Sequence, residues 1–516
     1  MILLASYNQN SMCNGNIYGC FSLEIAMGKE DNSYSHILKC TSLFGGVQML
    51  GILMGLVRNK FVAVLLGPSG MGLVALFSST IKFVTDSTNF GLHISAVRDI
   101  SMAYDNGDEA TLEHKIHVFR HWMYAAAVLG LIVCIALSPL LSQWTFSFGN
   151  HTLHFVLLSP VVALTTVSVG EAAILKATRK LRALAMSSVY GAVGVMIVSV
   201  PIYWIYGNAG IIPSLVLMAL AQALAVMVFS LRIYPLRMSF DVGSLREGMA
   251  FLRLGIAFVV SGMLGSGAEL AIRAYLSNVS DVDTVGLYNA MYVMIFTYAG
   301  MVFTALDTDY YPRLSAIKHP GCELNAMVNS QMEVSMHMVS PLIILFMLLM
   351  PVLLPLLYSG EFKAVLPMLQ AASLSMYGRC VYLPMEYISL SRGDTKMFLC
   401  TEMFSAIVLV AFVIFGYGAF GLIGVGIGIA MAYLVEMTVV AVACFVRYGY
   451  RMSCMAFKTI AVHIAFGACA YLCTCSEDMV IYCIAGGAFF VVDACMSLYA
   501  IVKHTTIVDT LKNKMR

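Results

Sequence analysis

The chain has 516 residues, of which 60% are apolar and only 11% charged, and its mean hydropathy is +0.85. Soluble domains carry roughly 25% charged residues, so this composition excludes an ordinary soluble protein and assigns most of the chain to a bilayer. The formal net charge of +2 gives no sign of a nucleic-acid partner, because phosphate-backbone binding needs Lys and Arg clustered on an accessible face.

In chain order, residues 1–37 form a polar, irregular extension, and Met1 to Ala5 is too short and uncharged for a secretory signal. The first apolar arm must therefore direct insertion itself. Met27 opens a second plausible lead-in, which leaves residues 1–26 as either a disordered tail or a start-site artefact.

From residue 38 onward, apolar segments of roughly 20 residues, the length that crosses ~30 Å of hydrocarbon, recur to the end of the chain. About fourteen are predicted, at 38–66, 72–95, 120–143, 154–176, 184–206, 210–231, 249–274, 286–306, 335–357, 364–390, 397–415, 420–446, 456–475 and 479–502. The first two meet at Gly67-Pro68-Ser69-Gly70-Met71-Gly72, and Gly and Pro permit a tight reversal, so the pair reads as a helical hairpin. With the turn centred on Gly70, Arg58 and Lys82 face each other at equal depth, roughly 15–18 Å below the turn. A cation that far into hydrocarbon costs at least ~2.5–3.5 kcal/mol unless it faces a wet cavity or a counter-ion. A rival topology ends the first span at Val57 and makes Arg58-Asn59-Lys60 a loop.

Lys and Arg fall in alternate loops: Arg98 and Lys115 with Arg120, then Lys176 to Arg182, Arg232 to Arg253, Arg313 and Lys318, Arg392 and Lys396, Arg447 to Lys458, and the tail from Lys503. The opposite loops hold almost none. This positive-inside pattern predicts cytoplasmic termini and an outer turn for the first hairpin. A shift of 214 residues superposes Gly72-Leu73 on Gly286-Leu287 and Ser101 on Ser315, a faint repeat of the kind seen in transporters built from two halves. The predicted fold is an all-α integral membrane protein. It has an N-terminal extension (1–37), an N-lobe (38–231), a cytoplasmic linker (232–248), a C-lobe (249–446), and two further helices with a tail (447–516). Two parallel six-helix lobes of this kind enclose a central cavity. No loop is long enough for an extramembrane catalytic domain.

KFVAVLLGPSGMGLVALFSST followed by FGLHISAVRDIS, and in the second half ELAIRAYLS, VGLYNAMYVM and TALDTDYYPRLSAI, resemble the bacterial O-antigen and repeat-unit flippases. These form the polysaccharide branch of the multidrug/oligosaccharidyl-lipid/polysaccharide exporter superfamily. The resemblance extends over residues 33–503. It implies alternating access and export of an undecaprenyl-diphosphate-linked oligosaccharide across the bacterial inner membrane, by a transporter and not an enzyme. The long N-terminal extension and the many Met and Cys residues depart from a tidy member. The expected partners are the lipid-linked oligosaccharide, the phospholipid bilayer, and a polysaccharide polymerase or other assembly proteins, with the transporter itself a monomer. Multidrug export, export of a lipid-linked peptidoglycan precursor, and an intramembrane glycosyl- or acyltransferase or polysaccharide polymerase are the alternatives.

The headgroup of such a lipid is a pyrophosphate, which cannot cross hydrocarbon unaided. Arg58, Lys60 and Lys82 are the candidate cavity cations of the first hairpin, with Arg273 from the seventh span and Arg379 from the tenth. Arg grips phosphate oxygens with its planar fork, and Lys adds a compact charge. The structural alternatives are pairing of Arg58 and Lys82 with Asp86 or carbonyls, snorkelling of Lys60, and anchoring of Arg273 at the outer interface. Lys82, Asp86 and Asn89 share a helical face at i, i+4 and i+7, as Glu269 and Arg273 do at i and i+4. Asp86, with Asn89 and Glu269, could exchange a proton or bind Na⁺ to couple export to a gradient, or could simply neutralise the cations. Arg379 shares a face with Glu386. Glu436 and Asp493 stand as buried partners or cavity residues, and Glu171 and Glu402 receive no role. Apart from H⁺ or Na⁺, no cofactor is expected, because Cys473-Thr474-Cys475 lacks the spacing and partners of a zinc site. Gly416-Tyr417-Gly418-Ala419-Phe420-Gly421 matches a dinucleotide fingerprint in letters alone, since it sits between two apolar spans and not after a strand.

Overall fold

The computed structural model describes residues 18–146, 149–236, 249–317, 321–476, 478 and 480–504. The first 17 residues, most of the linker (237–248) and the basic tail from 505 lie outside them, so the parts of the positive-inside pattern carried by Arg237, Arg246, Lys318, Lys512, Lys514 and Arg516 do too.

Among the described residues the chain is helical throughout, with no strand. In order come α1 (Tyr18–Thr88), α2 (Leu92–Asp105), α3 (Glu109–Thr145), α4 (Thr152–Ala177), α5 (Leu181–Tyr206), α6 (Ile211–Ile233), α7 (Met249–Val279) and α8 (Val282–Tyr292). They continue with α9 (Met301–Ala316), α10 (Cys322–Leu357), α11 (Val365–Ser373), α12 (Ser375–Ser391), α13 (Thr395–Tyr448), α14 (Cys454–Thr474) and α15 (Gly486–His504). Among the described residues the fourteen predicted apolar segments fall mainly on helix, with breaks such as that at 89–91. Among the described residues nine helical stretches are long and apolar enough to cross a membrane, and two of these, Leu181–Ile233 and Thr395–Tyr448, run to 53 and 54 residues. The protein is a multi-pass membrane protein. Its outer surface fits that solvent: Trp204 is 77% exposed and Phe415 75%, contacts that hydrocarbon accepts and water does not.

Local sequence explains the breaks. α1 is two arms joined at Gly67, whose φ of 64° and ψ of −170° leave the helix, a conformation open to glycine and strained for other residues. Pro68 then opens the second arm, where its missing N–H is not needed. α13 bends in the same way at Gly421, with φ 61° and ψ −139°. Its arms close tightly, because a Cβ at Gly424 would lie 1.9 Å from the Gly416 carbonyl oxygen and one at Gly428 2.3 Å from that of Phe412. These glycines are hairpin packing, not a phosphate cradle. Helix starts are capped by Asp108, Asp281, Asp394 and Ser453, each accepting a backbone N–H three residues on.

Two features differ from the sequence reading. The first arm is continuous helix through Arg58-Asn59-Lys60, which removes the rival loop. The second arm stops at Thr88, and Phe90 and Gly91 at φ 52° and 60° turn the chain into the separate helix α2, shorter than the predicted span to residue 95.

α3, α4, α5 and α6 pack on one another and on α1, while α10 to α13 form a second group with α14 and α15 stacked on α10. α1 joins the groups by packing against α7 and α8. At that junction a Cβ on Gly72 would lie 2.1 Å from the Val282 carbonyl oxygen, and one on Gly286 2.0 Å from that of Pro68.

Candidate functional site

The turn at Gly67, three residues before the expected centre, sets the depths of the hairpin cations. Arg58 lies about 14 Å along its arm from the turn and Lys82 about 22 Å along the other, at ~1.5 Å per residue. They do not face each other, and each lines a different cavity.

Arg58 lines a cavity of about 440 Å³ between the two arms of α1, α8 and the π-helical turn Val293–Ala299, together with Asn59, Ser78, Asn289, Thr297 and Tyr298. Asn59 Nδ2 donates to Tyr298 Oη at 2.9 Å. The Arg58 Nε is buried without a hydrogen-bond partner. A half-buried guanidinium therefore faces a space whose other polar wall groups, set among apolar residues such as Val62 and Met71, are neutral donors and acceptors.

Lys82 lines a second cavity of about 360 Å³ with Asp86, Asn89, His93, Phe119 and Thr166. Its Nζ pairs with Glu269 Oε1 at 2.9 Å, and Glu269 Oε2 takes Arg273 Nη1 at 3.1 Å. Arg273 Nη2 in turn donates to Asn289 Oδ1 at 3.3 Å, and Tyr292 Oη donates to Glu269 Oε1 at 2.6 Å. Asn289 belongs to the first cavity, so a continuous polar chain from Lys82 to Asn289 connects the two spaces. The ion-pair partner of Lys82 is Glu269, 187 residues away, and not Asp86, whose side chain lies against Gly262 on α7. Asn89 Oδ1 accepts from Gly91 N at 2.8 Å, an Asx turn that closes the end of α1.

Lys60 is turned away from both cavities. Its Nζ donates to the carbonyl oxygens of Pro355, at 2.9 Å, and Tyr358, satisfying orphan acceptors at the C-terminus of α10, where a cation is also favoured by the helix dipole. Arg273 is a lobe-interface residue and not an anchor, with only 5% of its side chain exposed and its guanidinium 5.0 Å from the Tyr292 ring centre. Arg379 sits over Phe303 and Phe296 at 5.1 and 5.8 Å. Tyr292 and Phe296 are 5.0 Å apart, so one aromatic ladder carries both arginines by cation–π contact.

The residue pattern did not single out a third space, about 190 Å³, walled by Glu269, Tyr292, Glu402, Tyr433 and Glu436. Glu436 accepts from Ser405 there. Charges in apolar runs were the available signal, but nothing in a linear sequence brings Glu402 and Glu436 to Glu269. Arg120 and Glu171, read as a loop cation and a residue without a role, form a buried bidentate pair with both contacts at 2.8 Å. Arg120 also donates to Tyr234 O and Ser230 Oγ at 2.8 and 3.3 Å. It thereby ties α3, α4 and the end of α6 together.

Residues 61–367 match the family described as polysaccharide biosynthesis protein, and the chain belongs to that family. No curated protein matches the chain. Among solved structures, the chain is similar to the lipid II flippase MurJ in an inward closed conformation, with a TM-score of 0.71 at 12% identity over 89% of this chain and 99% of that one. It is also similar to an inward-facing multidrug resistance MATE family transporter of the MOP superfamily, with a TM-score of 0.58 at 13% identity over 82% and 98% of the two chains. A third likeness is to the MATE multidrug transporter DinF-BH, with a TM-score of 0.57 at 16% identity over 79% and 95%. The all-helical fold is thus that of the multidrug/oligosaccharidyl-lipid/polysaccharide exporters.

Proposed function

We propose that the protein is a flippase, not an enzyme, that moves an undecaprenyl-diphosphate-linked oligosaccharide repeat unit across the bacterial inner membrane by alternating access. The chain crosses the membrane fourteen times with both termini cytoplasmic. The observation that carries this reading is Arg58, a guanidinium with an unpartnered buried Nε in a cavity of about 440 Å³ between the lobes. Among apolar residues such as Val62 and Met71, its wall offers the amides of Asn59 and Asn289 and the hydroxyls of Ser78, Thr297 and Tyr298, groups suited to a sugar pyrophosphate.

Lys82 and Arg273 supply further positive charge through the chain that ends at Asn289, and relocation of Glu269 during transport would release both toward the cargo. Lys60 supports the fold around the site. Arg379 rigidifies the aromatic ladder on which Arg273 rests. Asp86, in the second cavity beside Asn89, is the proposed site for H⁺ or Na⁺ coupling. No other cofactor is required. The transporter works as a monomer and hands its cargo to a polysaccharide polymerase or another assembly protein.

The test is depletion in the native host with sidedness analysis of the lipid-linked repeat unit. Accumulation on the cytoplasmic face is expected. Normal translocation with unpolymerised units outside would overturn the reading and favour a polymerase. Rescue of a strain lacking its peptidoglycan-precursor exporter would redirect it to that cargo.

A further inference from the structure

A group of side chains outside the cavities has a chemistry of its own. It lies where α14 and α15 stack on α10 and α12. His463, on α14, is fully buried with a partner on each ring nitrogen: Nδ1 is 2.6 Å from Asp493 Oδ1 and Nε2 is 2.9 Å from His337 Nδ1. Asp493, on α15, is also fully buried and accepts Ser340 Oγ on its second oxygen at 2.8 Å. Ser340 Oγ stands 3.2 Å from Tyr377 Oη. Four helices therefore meet at one imidazole–carboxylate pair.

The groups that face the pair are His337 and Ser340 on α10 and, through Ser340, Tyr377 on α12; Glu333 lies one turn before His337 on α10. Among the described residues no lysine or arginine pairs with Asp493. A carboxylate inside a membrane protein is tolerated when its charge is balanced and its lone pairs are filled. The residue placed to balance it is His463, which does so when its ring carries a second proton.

The hydrogen bonds fit both charge states without movement of a heavy atom. With one proton fewer, His463 donates through Nδ1–H to Asp493 and accepts at Nε2 from the Nδ1–H of His337. When a proton binds His337 at Nε2, its Nδ1 proton crosses the 2.9 Å contact to His463 Nε2. His337 then accepts where it had donated, and His463 becomes an imidazolium beside Asp493. Each proton is accounted for, and the His337–His463 and His463–Asp493 contacts both survive. A shared metal does not fit as well, because two ligand atoms at about 2.0–2.1 Å from a tetrahedral zinc ion stand farther apart than these contacts.

We propose that His337, His463 and Asp493 form a proton-binding relay that clasps the C-terminal helix pair, α14 and α15, to α10. The half-buried His337 is the entry point, and the His463–Asp493 pair is the resting place of the proton. The relay is separate from the coupling site at Asp86 and does not depend on the identity of the cargo.

The test is solid-state NMR of the full-length protein in lipid with ¹⁵N-labelled histidine, titrated between about pH 8 and 5, the range in which imidazoles change charge. The His463 resonances are assigned by their absence from His463→Gln or, if that variant does not fold, by through-space contacts to labelled aspartate. The expected result is a second N–H on His463 as the pH falls, lost over the whole range in Asp493→Asn. His337→Phe should keep the Asp493 contact but lose the N–H···N coupling. A single N–H on wild-type His463 at every pH would overturn the proposal even if no variant folds. An Asp493→Asn variant that gains the second N–H as the wild type does would also overturn it.

Discussion

Gly72 and Gly286 face each other across the lobe interface in a reciprocal contact, each without a side chain and each against a carbonyl of the other lobe. Gly72 meets Val282, and Gly286 meets Pro68. The shift of 214 residues that relates Gly72 to Gly286 also relates Pro68 to Val282. Self-complementary contact of this kind is what a two-fold relation between the lobes demands. α1 and α8 therefore meet at positions that the 214-residue shift relates.

This contact predicts the effect of a methyl group. Gly72→Ala or Gly286→Ala forces the backbones apart at the turn end of the interface. A cysteine placed at Ser78 in a cysteine-depleted background should then react faster with an impermeant maleimide added from the turn side. Because both changes break one contact, the double variant should react little faster than either single one. Unchanged labelling in both would show that the contact does not seal the interface.

Glu269 holds Lys82, Arg273 and Tyr292 together, so Glu269→Gln leaves cations without their counter-ion. Removing one member of a buried pair costs about 3–5 kcal/mol. Lys82 is half exposed in its side chain, at 51%, against 5% for Arg273. Thermal unfolding in detergent should accordingly fall much more for Arg273→Met than for Lys82→Met. Equal losses would contradict the polar chain as drawn.

Arg120 and Glu171 allow the same argument away from the cavities. Arg120→Ala strands a fully buried carboxylate and should destabilise by about 3–5 kcal/mol, whereas Arg120→Met with Glu171→Met should recover most of the loss. Unfolding midpoints of the three variants give the comparison.

Asp394 lies at the start of α13, outside the membrane-spanning segment. A hydrogen bond from the Arg447 side chain, aided by the Met397 backbone N–H and by Tyr448, holds its carboxyl below the usual carboxylate range. A lowered value means that this stabilisation is present above the unfolded-state pKa and is lost as the pH falls through the folded one. Asp394→Asn should be less stable than wild type at neutral pH, with the gap closing in acid below about pH 4. A gap independent of pH would remove the ionic contribution.

The helices were legible because apolar runs of membrane length, ended by Gly and Pro, are local signals. Gly67 and Gly421 mark hairpins that a reader of residues can place within a few positions. That small error was enough to misjudge depth: GPSGMG offers several turn centres, and choosing Gly70 over Gly67 set Arg58 and Lys82 level when they are about 9 Å apart along the helices. Partners were the part that did not read out. Lys82 lies four residues from Asp86, yet its carboxylate is Glu269, and Lys60 spends its charge on carbonyls of α10. His463 carried no signal at all, because a single histidine in an apolar run has meaning only once Asp493 and His337 are folded around it.

The most direct measurement is the rate at which the lipid-linked repeat unit reaches the outer face in cells carrying Arg58→Ala, with membrane insertion of the variant verified. A charge-assisted contact of about 1.5–3 kcal/mol corresponds to a loss of roughly tenfold to a hundredfold, and Arg58→Lys should restore part of it. Export at the wild-type rate in well-inserted Arg58→Ala protein would contradict a mechanism in which this cavity holds the pyrophosphate.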